Sequence, residues 1–296
     1  MTLNQRIAVT GASGLIGTAL VGHLKSEGHT IQRLVRRPAG AGDEIQWDPK
    51  AGTVDLTALA GVDAIIHLAG AGVGEKRWTA KYKAEILNSR LLGTTTIAKA
   101  VAEVKPQVFI SASAMGWYGE TGNRAVTETD RTGDDFLAAV CREWEAAADL
   151  AGDVRTVKLR TGLVLDPTGG ALGKMLPFFR FGLGGRLASG MQWWSWITLH
   201  DVIRAITFAL ENPISGPINV TTPNPATNRE FTAALARALH RPALLPVPGI
   251  ALKIAFGGFS SEMLGSKKVL PEALMNAGFI FDYPHLGPAL AVLVEA

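Results

Sequence analysis

Thiols are nearly absent from this chain of 296 residues, which has a single cysteine, Cys141. One cysteine cannot form an internal disulfide or supply a zinc site made of several thiolates. No group of histidine, cysteine, aspartate and glutamate has the spacing of a metal site either, so we expect no metal. A chain without disulfides suits a reducing compartment, and we expect the protein in the cytoplasm.

The sequence also lacks blocks of like charge and long apolar runs. Lysine and arginine number 29 against 26 acidic residues, which gives a formal net charge of +3. A spanning helix needs about 20 apolar residues, whereas the stretch GIALKIAFGGF is shorter and contains Lys253. The short polar start leaves no room for an export signal. We therefore expect neither nucleic acid nor membrane as a partner.

What the sequence does have is a regular alternation of short β-branched runs and helical periods. Continuous apolar strands separated by helices are typical of a parallel sheet covered on both faces. The pattern predicts a doubly wound α/β fold of the Rossmann type. The predicted strands are 6–11, 30–36, 44–47, 63–70, 107–113, 155–165 and 216–222, and the predicted helices are 15–27, 80–104, 136–150 and 228–240.

The turn after the first predicted strand carries the glycine motif VTGASGLIG. Between a strand and a helix, Gly11 permits a tight turn, Gly14 lets the backbone approach a pyrophosphate, and Gly17 lets the helix lie close to the strand. The helix N-terminus offers free amides to the anion, and a serine hydroxyl can add a donor. The predicted cofactor contacts of this loop are Gly11, Ser13, Gly14, Leu15, Ile16 and Gly17.

Two arginines, Arg36 and Arg37, stand at the end of the second predicted strand. A cofactor without a 2′-phosphate would favour a carboxylate at this place, because its ribose hydroxyls need an acceptor. A guanidinium instead matches a phosphate with two charge-assisted hydrogen bonds. The sequence therefore predicts NADP(H) rather than NAD(H) as the cofactor. The alternative is that these arginines only solvate the end of a strand.

Several motifs together carry a family resemblance. HLAG at 67–70 and ISASAMGWYG at 110–119, with the glycine spacing above, resemble the extended short-chain dehydrogenase/reductase superfamily. Within it, DFLAAVCREWEAAA, RTGLVLDPTGGAL and GMQWWSWI are similar to the atypical subgroup called epimerase family protein, the SDR39U1 type. Some bacterial members of that subgroup are labelled nucleoside-diphosphate-sugar epimerases. The resemblance covers the chain from Arg6 to about Leu290.

The resemblance implies an NADP(H)-binding Rossmann domain over residues 1–165 and a smaller, interleaved C-terminal substrate lobe over residues 166–296. Residues 200–225 are expected to return to the Rossmann sheet. The resemblance also implies cofactor contacts at strand ends and on the long helix. For the two helix residues among them, the alternative is an exposed pair at a poor spacing for a salt bridge. These further predicted contacts are Leu68, Ala69, Gly70, Glu85, Arg90, Leu163 and Val164.

The catalytic set is where the sequence departs from the superfamily. There, a serine or threonine and a Tyr–x–x–x–Lys pair on the next helix share proton transfer, because a free phenol is a poor base at neutral pH. Ser113 occupies the serine position, but Cys141 and Glu145 align with the tyrosine and the lysine. We interpret Cys141 as a small buried apolar residue. The predicted catalytic residues are Ser113 and Tyr118, a nearby phenol whose activating cation the sequence does not reveal.

The second part of the chain offers weaker candidates. The stretch from Thr168 to Ile197 lacks clean periodicity and is predicted to be a loop over a pocket. Asp201 is predicted to cap a helix. Trp194 and Trp196 would share one strand face, where they could stack on a ring substrate or pack in the core. His67 is interpreted as a core histidine rather than a ligand.

Two classes of function remain. In the first, the protein is an NADP(H)-dependent oxidoreductase or epimerase that acts on a small hydroxyl or carbonyl compound, with nucleotide sugars among the candidates. In the second, it binds NADP(H) without turnover and reports the redox state of the cofactor to a partner. The missing tyrosine and lysine favour the second class, and the elaborate stretch over the pocket favours the first. We expect an enzyme, as a monomer or a homodimer.

Overall fold

The structure is a computed structural model that describes residues 4–40 and 42–295, so that the polar start of the sequence lies partly outside the described residues. The strands are β1 (Arg6–Thr10), β2 (Thr30–Val35), β3 (Glu44–Asp48), β4 (Thr53–Val54), β5 (Ala64–His67), β6 (Val108–Ala114), β7 (Ala125–Val126), β8 (Thr156–Thr161), β9 (Leu163–Asp166), β10 (Trp193–Trp194), β11 (Trp196–Thr198), β12 (Gly216–Val220), β13 (Ala226–Thr227) and β14 (Lys268–Val269). The α-helices are α1 (Leu15–Ser26), α2 (Leu56–Leu59), α3 (Ala80–Val104), α4 (Phe136–Ala148), α5 (Gly170–Arg180), α6 (Leu199–Glu211), α7 (Asn228–Ala238), α8 (Gly249–Phe256), α9 (Ser260–Leu264), α10 (Glu272–Asn276) and α11 (Leu286–Glu295).

Eight strands form the main sheet in the order β12-β8-β6-β5-β1-β2-β3-β4. All neighbouring strands are parallel except β3 and β4. The strand order reverses at β1, which lies between β5 and β2, and in such sheets ligands bind outside the carboxyl ends of the strands at this point. The predicted doubly wound α/β fold is confirmed.

Helices cover both faces of the sheet, as the continuous apolar strands require. On one face, Leu20 and Leu24 of α1 pack with Val202 and Ile206 of α6. On the other face, Ile97 and Val101 of α3 pack against the sheet. These two buried layers fix the sheet rigidly between helices and hold the ends of its strands in one line.

A third apolar cluster lies in the C-terminal part of the chain. It joins α5, α7 and α11 through Leu176, Phe231 and Leu290, and Trp196 is buried within it. β12 nevertheless pairs with β8 in the main sheet. The second half of the chain therefore contributes both to the main sheet and to the third apolar cluster. The division of the chain into domains at residue 165 stays a prediction.

Two predicted elements differ from the structure. The predicted strand 155–165 is broken at Gly162, where a Cβ atom would lie 2.6 Å from the Ser195 carbonyl oxygen, and β9 leaves the main sheet to pair with β11. The predicted loop 168–197 contains helix α5. Its buried face, with Leu172 and Leu176 one turn apart, was obscured in the sequence by glycines and Pro177.

Candidate functional site

The glycine loop between β1 and α1 is the most tightly constrained backbone at the switch point. Gly11 has φ +69°, and a Cβ there would lie 2.8 Å from the Leu68 carbonyl carbon. A Cβ at Gly17 would lie only 2.1 Å from the Gly11 carbonyl oxygen. Larger residues would force these backbones apart, so the loop needs glycine at both positions.

The same loop leaves the start of α1 open. The N-cap residue Gly14 makes no side-chain hydrogen bond to the helix, and Ser13 is exposed. Since the first amides of a helix have no partner within the helix, they remain available to a ligand. Ile16, in the first turn, packs against the apolar core and fixes the direction of the helix. The combination is an anion cradle with the geometry expected for a pyrophosphate.

Thr10, which the sequence analysis did not single out, ties the cradle to the end of β5. Its hydroxyl oxygen accepts hydrogen bonds from the amides of Leu68 and Ala69, at 3.1 and 3.3 Å. It lies 2.8 Å from His67 Nδ1, and its single proton can satisfy that nitrogen. The predicted contacts Leu68 and Ala69 are therefore held directly beside Gly11.

His67 itself is fully buried, with Nδ1 against the Thr10 hydroxyl. Its Nε2 has no hydrogen-bond partner among the described residues, and burial lowers its pKa to about 3. The ring packs edge-on against Trp47, with 5.9 Å between centroids. This neutral core histidine agrees with the interpretation made from the sequence.

The two predicted phosphate ligands differ in their surroundings. Arg37 forms two hydrogen bonds with Glu44, at 2.8 and 2.6 Å. These bonds, with a further one from the Gly40 amide, lower the pKa of Glu44 to about 2. Arg36 is exposed and forms no hydrogen bond or ion pair among the described residues. It follows the strand beside β1, at the same edge as the cradle, and is thus the freer of the two guanidinium groups.

The two predicted cofactor contacts on α3, Arg90 and Glu85, lie in different surroundings. Arg90 lies against the backbone near Gly70 and donates a hydrogen bond to the Ala71 carbonyl at 2.9 Å. Its guanidinium stacks over the ring of Trp144, 4.7 Å from the centroid. Glu85 is exposed and lies 3.6 Å from Lys76. The structure therefore places Arg90 at the edge of the site and points Glu85 into solvent.

The β9 segment reaches the cradle from the other side. Leu163 and Val164 are half-buried, and the turn after them approaches Leu15 at the start of α1. A Cβ at Gly169 would lie 3.1 Å from Leu15 Cδ1. The structure therefore brings the predicted contacts at 163–164 beside those at 11–17. Whether each one contacts a cofactor stays a prediction.

Ser113, the predicted catalytic serine, is buried in a polar network. Its hydroxyl donates a hydrogen bond to Glu145 Oε1 at 2.7 Å. Arg160 donates to both oxygens of the same carboxylate, at 2.8 and 2.9 Å. Fork-shaped pairing of this kind fixes both side chains. The carboxylate that stands at the family's lysine position is thus neutralised by an arginine from β8.

The network continues to Tyr118, the predicted acid. Arg160 Nη1 donates to the phenol oxygen at 3.0 Å, and the phenol donates to Asn219 Oδ1 at 2.7 Å. Ser113, Arg160 and Asn219 are register partners on β6, β8 and β12, so the network follows one row across three strands. The cation that the sequence did not reveal near Tyr118 is Arg160.

Burial nevertheless acts against proton transfer by these groups. It raises the pKa of Tyr118 to about 12, although Arg160 and Asn219 act in the opposite direction. The Cys141 thiol is also buried and has its pKa raised to about 12, first by desolvation and then by the charge of Glu145. Both groups are therefore protonated at neutral pH. None of the three tyrosines in the sequence is followed by a lysine four residues later.

Arg160 and Asn219 are the residues that sequence reasoning missed at this site. Arg160 is a buried residue of β8, which has parallel neighbours on both sides, and a charge in such a strand indicates that it has a partner. The partner could not be identified, because Glu145 comes from a helix and Asn219 from a strand about 60 residues later. Strand register, which no local pattern specifies, brings the three together.

Three other predicted features have structural roles. The cap of α6 is Thr198, whose hydroxyl accepts from the Asp201 amide at 3.1 Å, so the prediction that Asp201 caps this helix is wrong. Trp194 and Trp196 belong to different strands, β10 and β11, and both join the third apolar cluster. Their side chains nevertheless reach the same cluster, in agreement with the predicted common direction, and the structure favours core packing for both.

Asp201 instead belongs to a polar cluster that the sequence analysis overlooked. Ligand atoms of His200, Asp201 and Asp282 lie within 4.8 Å of one another. Arg204 lies 3.0 Å from Asp201 and 3.1 Å from Asp282 and supplies a positive charge there. Asp201 also accepts hydrogen bonds from the amides of Asp282 and Tyr283. The cluster fastens the C-terminal segment to α6, and 80 residues of separation concealed it in the sequence.

Within the described ranges, no helix has both the length and the hydropathy that crossing a bilayer requires.

The chain matches two family models. The first, described as the NAD dependent epimerase/dehydratase family, covers residues 7–221. The second, described as DUF1731, a domain of unknown function, covers residues 247–293. The first match includes the glycine cradle, Ser113 and Arg160, and ends just after β12.

Similar proteins extend over nearly the whole chain. Epimerase family protein Mb2239 of Mycobacterium bovis is 44% identical over 291 residues, which are 97% of each chain. The crystal structure of human epimerase family protein SDR39U1 with NADPH has a TM-score of 0.90 at 35% identity, covering 98% of this chain and 99% of the human one. A nucleoside-diphosphate sugar epimerase structure from Corynebacterium glutamicum has a TM-score of 0.81 at 34% identity, covering 99% of this chain and 58% of that chain. These matches confirm the resemblance inferred from the motifs.

Proposed function

Because the chain belongs to the NAD dependent epimerase/dehydratase family, we propose that it is an NADP(H)-dependent oxidoreductase or epimerase. Its substrate would be a small compound with a hydroxyl or carbonyl group. Nucleotide sugars are the first class to test, since a similar structure is described as a nucleoside-diphosphate sugar epimerase. The observation that carries the proposal is the anion cradle at the switch point of the sheet.

The cradle fits a dinucleotide in three respects. Its glycines allow the backbone to come close to a ligand, its helix N-terminus is not capped by a side chain, and Thr10 holds Leu68 and Ala69 beside it. An uncapped helix end beside glycine-only backbone favours a pyrophosphate. The human relative was crystallised with NADPH, which supports the same cofactor here.

Arg36 is the residue we assign to the 2′-phosphate of NADP(H). Its guanidinium has no acidic partner among the described residues, whereas Arg37 is paired with Glu44 at 2.6 Å. Charge-assisted hydrogen bonds contribute about 1.5–3 kcal/mol, which corresponds to a preference of roughly 10- to 150-fold. Arg37 would need to leave Glu44 before it could contribute, so we expect its part to be smaller.

The reaction would take place near Ser113. When bound, NADP(H) supplies or accepts a hydride. Because the Ser113 proton is directed to Glu145, its oxygen can accept a hydrogen bond from a substrate hydroxyl. Ser113 would therefore orient the reacting oxygen of the substrate, while Glu145 accepts the Ser113 proton and fixes the direction of the hydroxyl. Tyr118 would hold Arg160 and Asn219 in place and would remain protonated.

The test is oxidation of NADPH, followed by fluorescence against a panel of nucleotide sugars and carbonyl compounds. Turnover with at least one compound, lost in Ser113→Ala, is the expected result. Tyr118→Phe keeps the ring and removes the phenol proton, so it separates proton transfer from packing. An epimerase returns the hydride to its substrate and consumes no cofactor, so conversion of each nucleotide sugar with NADP⁺ bound is also followed by NMR. Binding of NADPH with neither oxidation by a compound on the panel nor epimerisation of a nucleotide sugar would contradict the enzymatic proposal.

One observation favours a second function, binding of NADP(H) without turnover. The phenol, thiol and carboxylate near Ser113 are all buried and engaged within the protein. A protein that reports the redox state of its cofactor needs no free acid or base. This function predicts different affinities for NADPH and NADP⁺ in the wild type and no change in either affinity for Ser113→Ala.

Cellular location and assembly belong to the same proposal. We propose a cytoplasmic protein, since the single cysteine suits a reducing compartment. We also propose a monomer or a homodimer, which sedimentation of the pure protein at several concentrations would decide.

A further inference from the structure

A concave basic surface lies on the C-terminal part of the protein, away from the cradle. It has a volume of about 660 Å³, and α7 forms one wall. Four arginines line it, and none forms an ion pair with another described residue. Arg186 and Arg229 flank Gly190, where a Cβ would lie 3.2 Å from the Cβ of each. The four lining arginines are Arg186, Arg229, Arg237 and Arg241.

The segments that build this surface have an unusual composition. Residues 167–200 and 231–261 contain no aspartate or glutamate, although the whole chain has 26 acidic residues. Arg180 and Lys253 belong to these segments as well. The positive charge here is therefore not balanced locally, in contrast to the near balance of the chain as a whole.

Large apolar side chains project from the same two segments. Of the fifteen exposed large apolar side chains in the described residues, nine lie between 178 and 191 or between 244 and 256. Leu244 is 84% exposed and Phe181 is 81% exposed. Scattered exposed apolar residues are ordinary, but a concentration of them marks an interaction surface. The nine are Phe178, Phe181, Leu183, Met191, Leu244, Leu245, Ile250, Ile254 and Phe256.

Helix α8 also exposes large apolar side chains. Its sequence is GIALKIAF, and Leu252 is its only buried residue. Ile250 and Ile254, one turn apart, are 67% and 68% exposed. Lys253 is the only charge on the helix. A helix that is mostly apolar and mostly exposed is incompletely partnered within this chain.

Backbone contacts join the two segments into one face. Arg241 Nε donates to the Arg180 carbonyl at 3.1 Å. The amide of Val247 donates to the Arg186 carbonyl at 2.8 Å, and the amide of Ala188 donates to the Val247 carbonyl at 2.9 Å. The arginines and the apolar side chains therefore lie next to each other. We call this surface, built from residues 178–191, 229–245 and α8, the basic apolar face.

We propose that the basic apolar face binds the surface of an anionic phospholipid bilayer. Anionic headgroups attract basic side chains close to the membrane, and apolar side chains that project beyond them enter the headgroup region. A protein partner would have to supply carboxylates at the positions of the unpaired arginines. Glu230 is the one acidic residue within the face, and its carboxylate already accepts hydrogen bonds from the amide and hydroxyl of Thr227. The arginines therefore keep an excess of positive charge, which the headgroups of an anionic bilayer can balance without a fixed arrangement of carboxylates.

This proposal revises the expectation from the sequence that the protein has no membrane partner. That expectation depended on the absence of a spanning run and of any block of like charge. The basic charges of the face come from residues separated by up to 73 positions, Arg180 to Lys253, so no local window contains them.

The test is flotation of the full-length protein with vesicles of phosphatidylcholine alone or with about 30% phosphatidylglycerol. We expect binding to the anionic vesicles only, and release at about 1 M salt, where the Debye length is about 3 Å. Arg229→Glu with Arg237→Glu should lower the bound fraction at least tenfold. Phe181→Ser with Leu244→Ser should weaken binding even at low salt.

The matched control is Lys50→Glu with Lys99→Glu, which reverses two exposed charges outside the face. It should bind like the wild type, and circular dichroism and NADPH binding should show that every variant is folded. Failure to bind anionic vesicles, or an equal loss in the control, would overturn the proposal. A concentration-dependent dimer that the serine variant abolishes, without vesicle binding, would overturn it in favour of a protein interface.

Discussion

The glycine cradle lies at the carboxyl end of β1 and Ser113 near that of β6, with β5 between the two strands. The polar groups of the two regions differ in whether they have partners within the protein. At the cradle, the start of α1 has no side-chain cap, and Arg36 has no ionic partner among the described residues. Around Ser113, the carboxylate of Glu145 is held by Arg160, and Tyr118 is held by Asn219. Polar groups are left available in the first region and are satisfied within the protein in the second.

This difference shows that a region with unpartnered polar groups reveals more about function than a region whose polar groups are all paired. An open set of donors indicates a ligand that is absent from the structure, and the chemistry of the donors indicates phosphate. The closed network around Ser113 does not indicate a ligand in this way, because each of its buried polar groups already has a partner. The cofactor is therefore easier to infer here than the reaction.

The largest effect should come from breaking the closed region. Arg160→Met leaves Glu145 as an unpaired buried carboxylate, and loss of one partner of a buried ion pair costs about 3–5 kcal/mol. The free energy of unfolding from urea titration measures this loss. Lys158→Met is the control on the same strand, because its partner Asp149 is 65% exposed, and we expect about 1 kcal/mol or less. Equal losses in the two variants would show that the buried ion pair of Arg160 and Glu145 contributes no more to stability than the exposed pair of Lys158 and Asp149.

The next largest effect should come from closing the cradle. Gly17→Ala places a methyl group 2.1 Å from the Gly11 carbonyl oxygen, so the loop must move away from its anion-binding form. We expect at least a 100-fold weaker affinity for NADPH in calorimetry. Gly22→Ala, in the same helix with no atom within 4 Å of the new Cβ, should bind as the wild type does. A normal affinity for Gly17→Ala would refute the cradle.

A smaller effect should distinguish the two arginines. Arg36→Asp should weaken NADPH about 10- to 100-fold and leave NADH nearly unchanged, because only NADPH carries the 2′-phosphate. Arg37→Asp should change the preference less, since Arg37 is paired with Glu44. Fluorescence titration of both coenzymes measures the preference. An equal loss of NADPH and NADH affinity in Arg36→Asp would remove the phosphate assignment.

The smallest effect concerns His67, which lies beneath the cradle. Its pKa is about 3 in the folded protein and about 6.5 in the unfolded chain. The unfolded chain therefore binds the proton first, so this contribution to stability is complete above pH 6.5 and falls as the pH drops toward 3. The slope approaches about 1.4 kcal/mol per pH unit.

His67→Asn should flatten the pH dependence of unfolding between pH 6.5 and 5, because asparagine can still accept from Thr10 but does not titrate. His240→Asn is the control, since His240 is exposed and has positive φ, a conformation that asparagine tolerates. The same flattening in both variants would contradict the role assigned to His67.

Much of the open region could be predicted from the sequence because its determinants are local. The spacing of Gly11, Gly14 and Gly17 and the periods of α1 and α3 lie within single windows of the chain, and the structure has these elements where they were expected. Arg36 could be singled out by its distance from Gly17. Local determinants of this kind need no knowledge of strand register.

In the closed region, Ser113 and Tyr118 could be predicted, but their partners could not, because the determinants of that network are not local. Glu145, Arg160 and Asn219 meet only because β6, β8 and β12 are neighbours in a certain register. Helix α5 was hidden for another reason, since glycines and Pro177 mask its apolar period. The Asp201 cluster depends on a chain segment 80 residues away, which no pattern near Asp201 indicates.

The register of Arg160 limits how an engineer could give this scaffold the proton-transfer pair of its superfamily. Installing tyrosine at Cys141 and lysine at Glu145 would set an ammonium group against a guanidinium that has just lost its counter-ion. Two like charges at buried positions repel strongly, so the variant with this pair would not keep the present arrangement. A third change at Arg160 would have to come first, so the scaffold needs three coordinated substitutions before it can hold that pair.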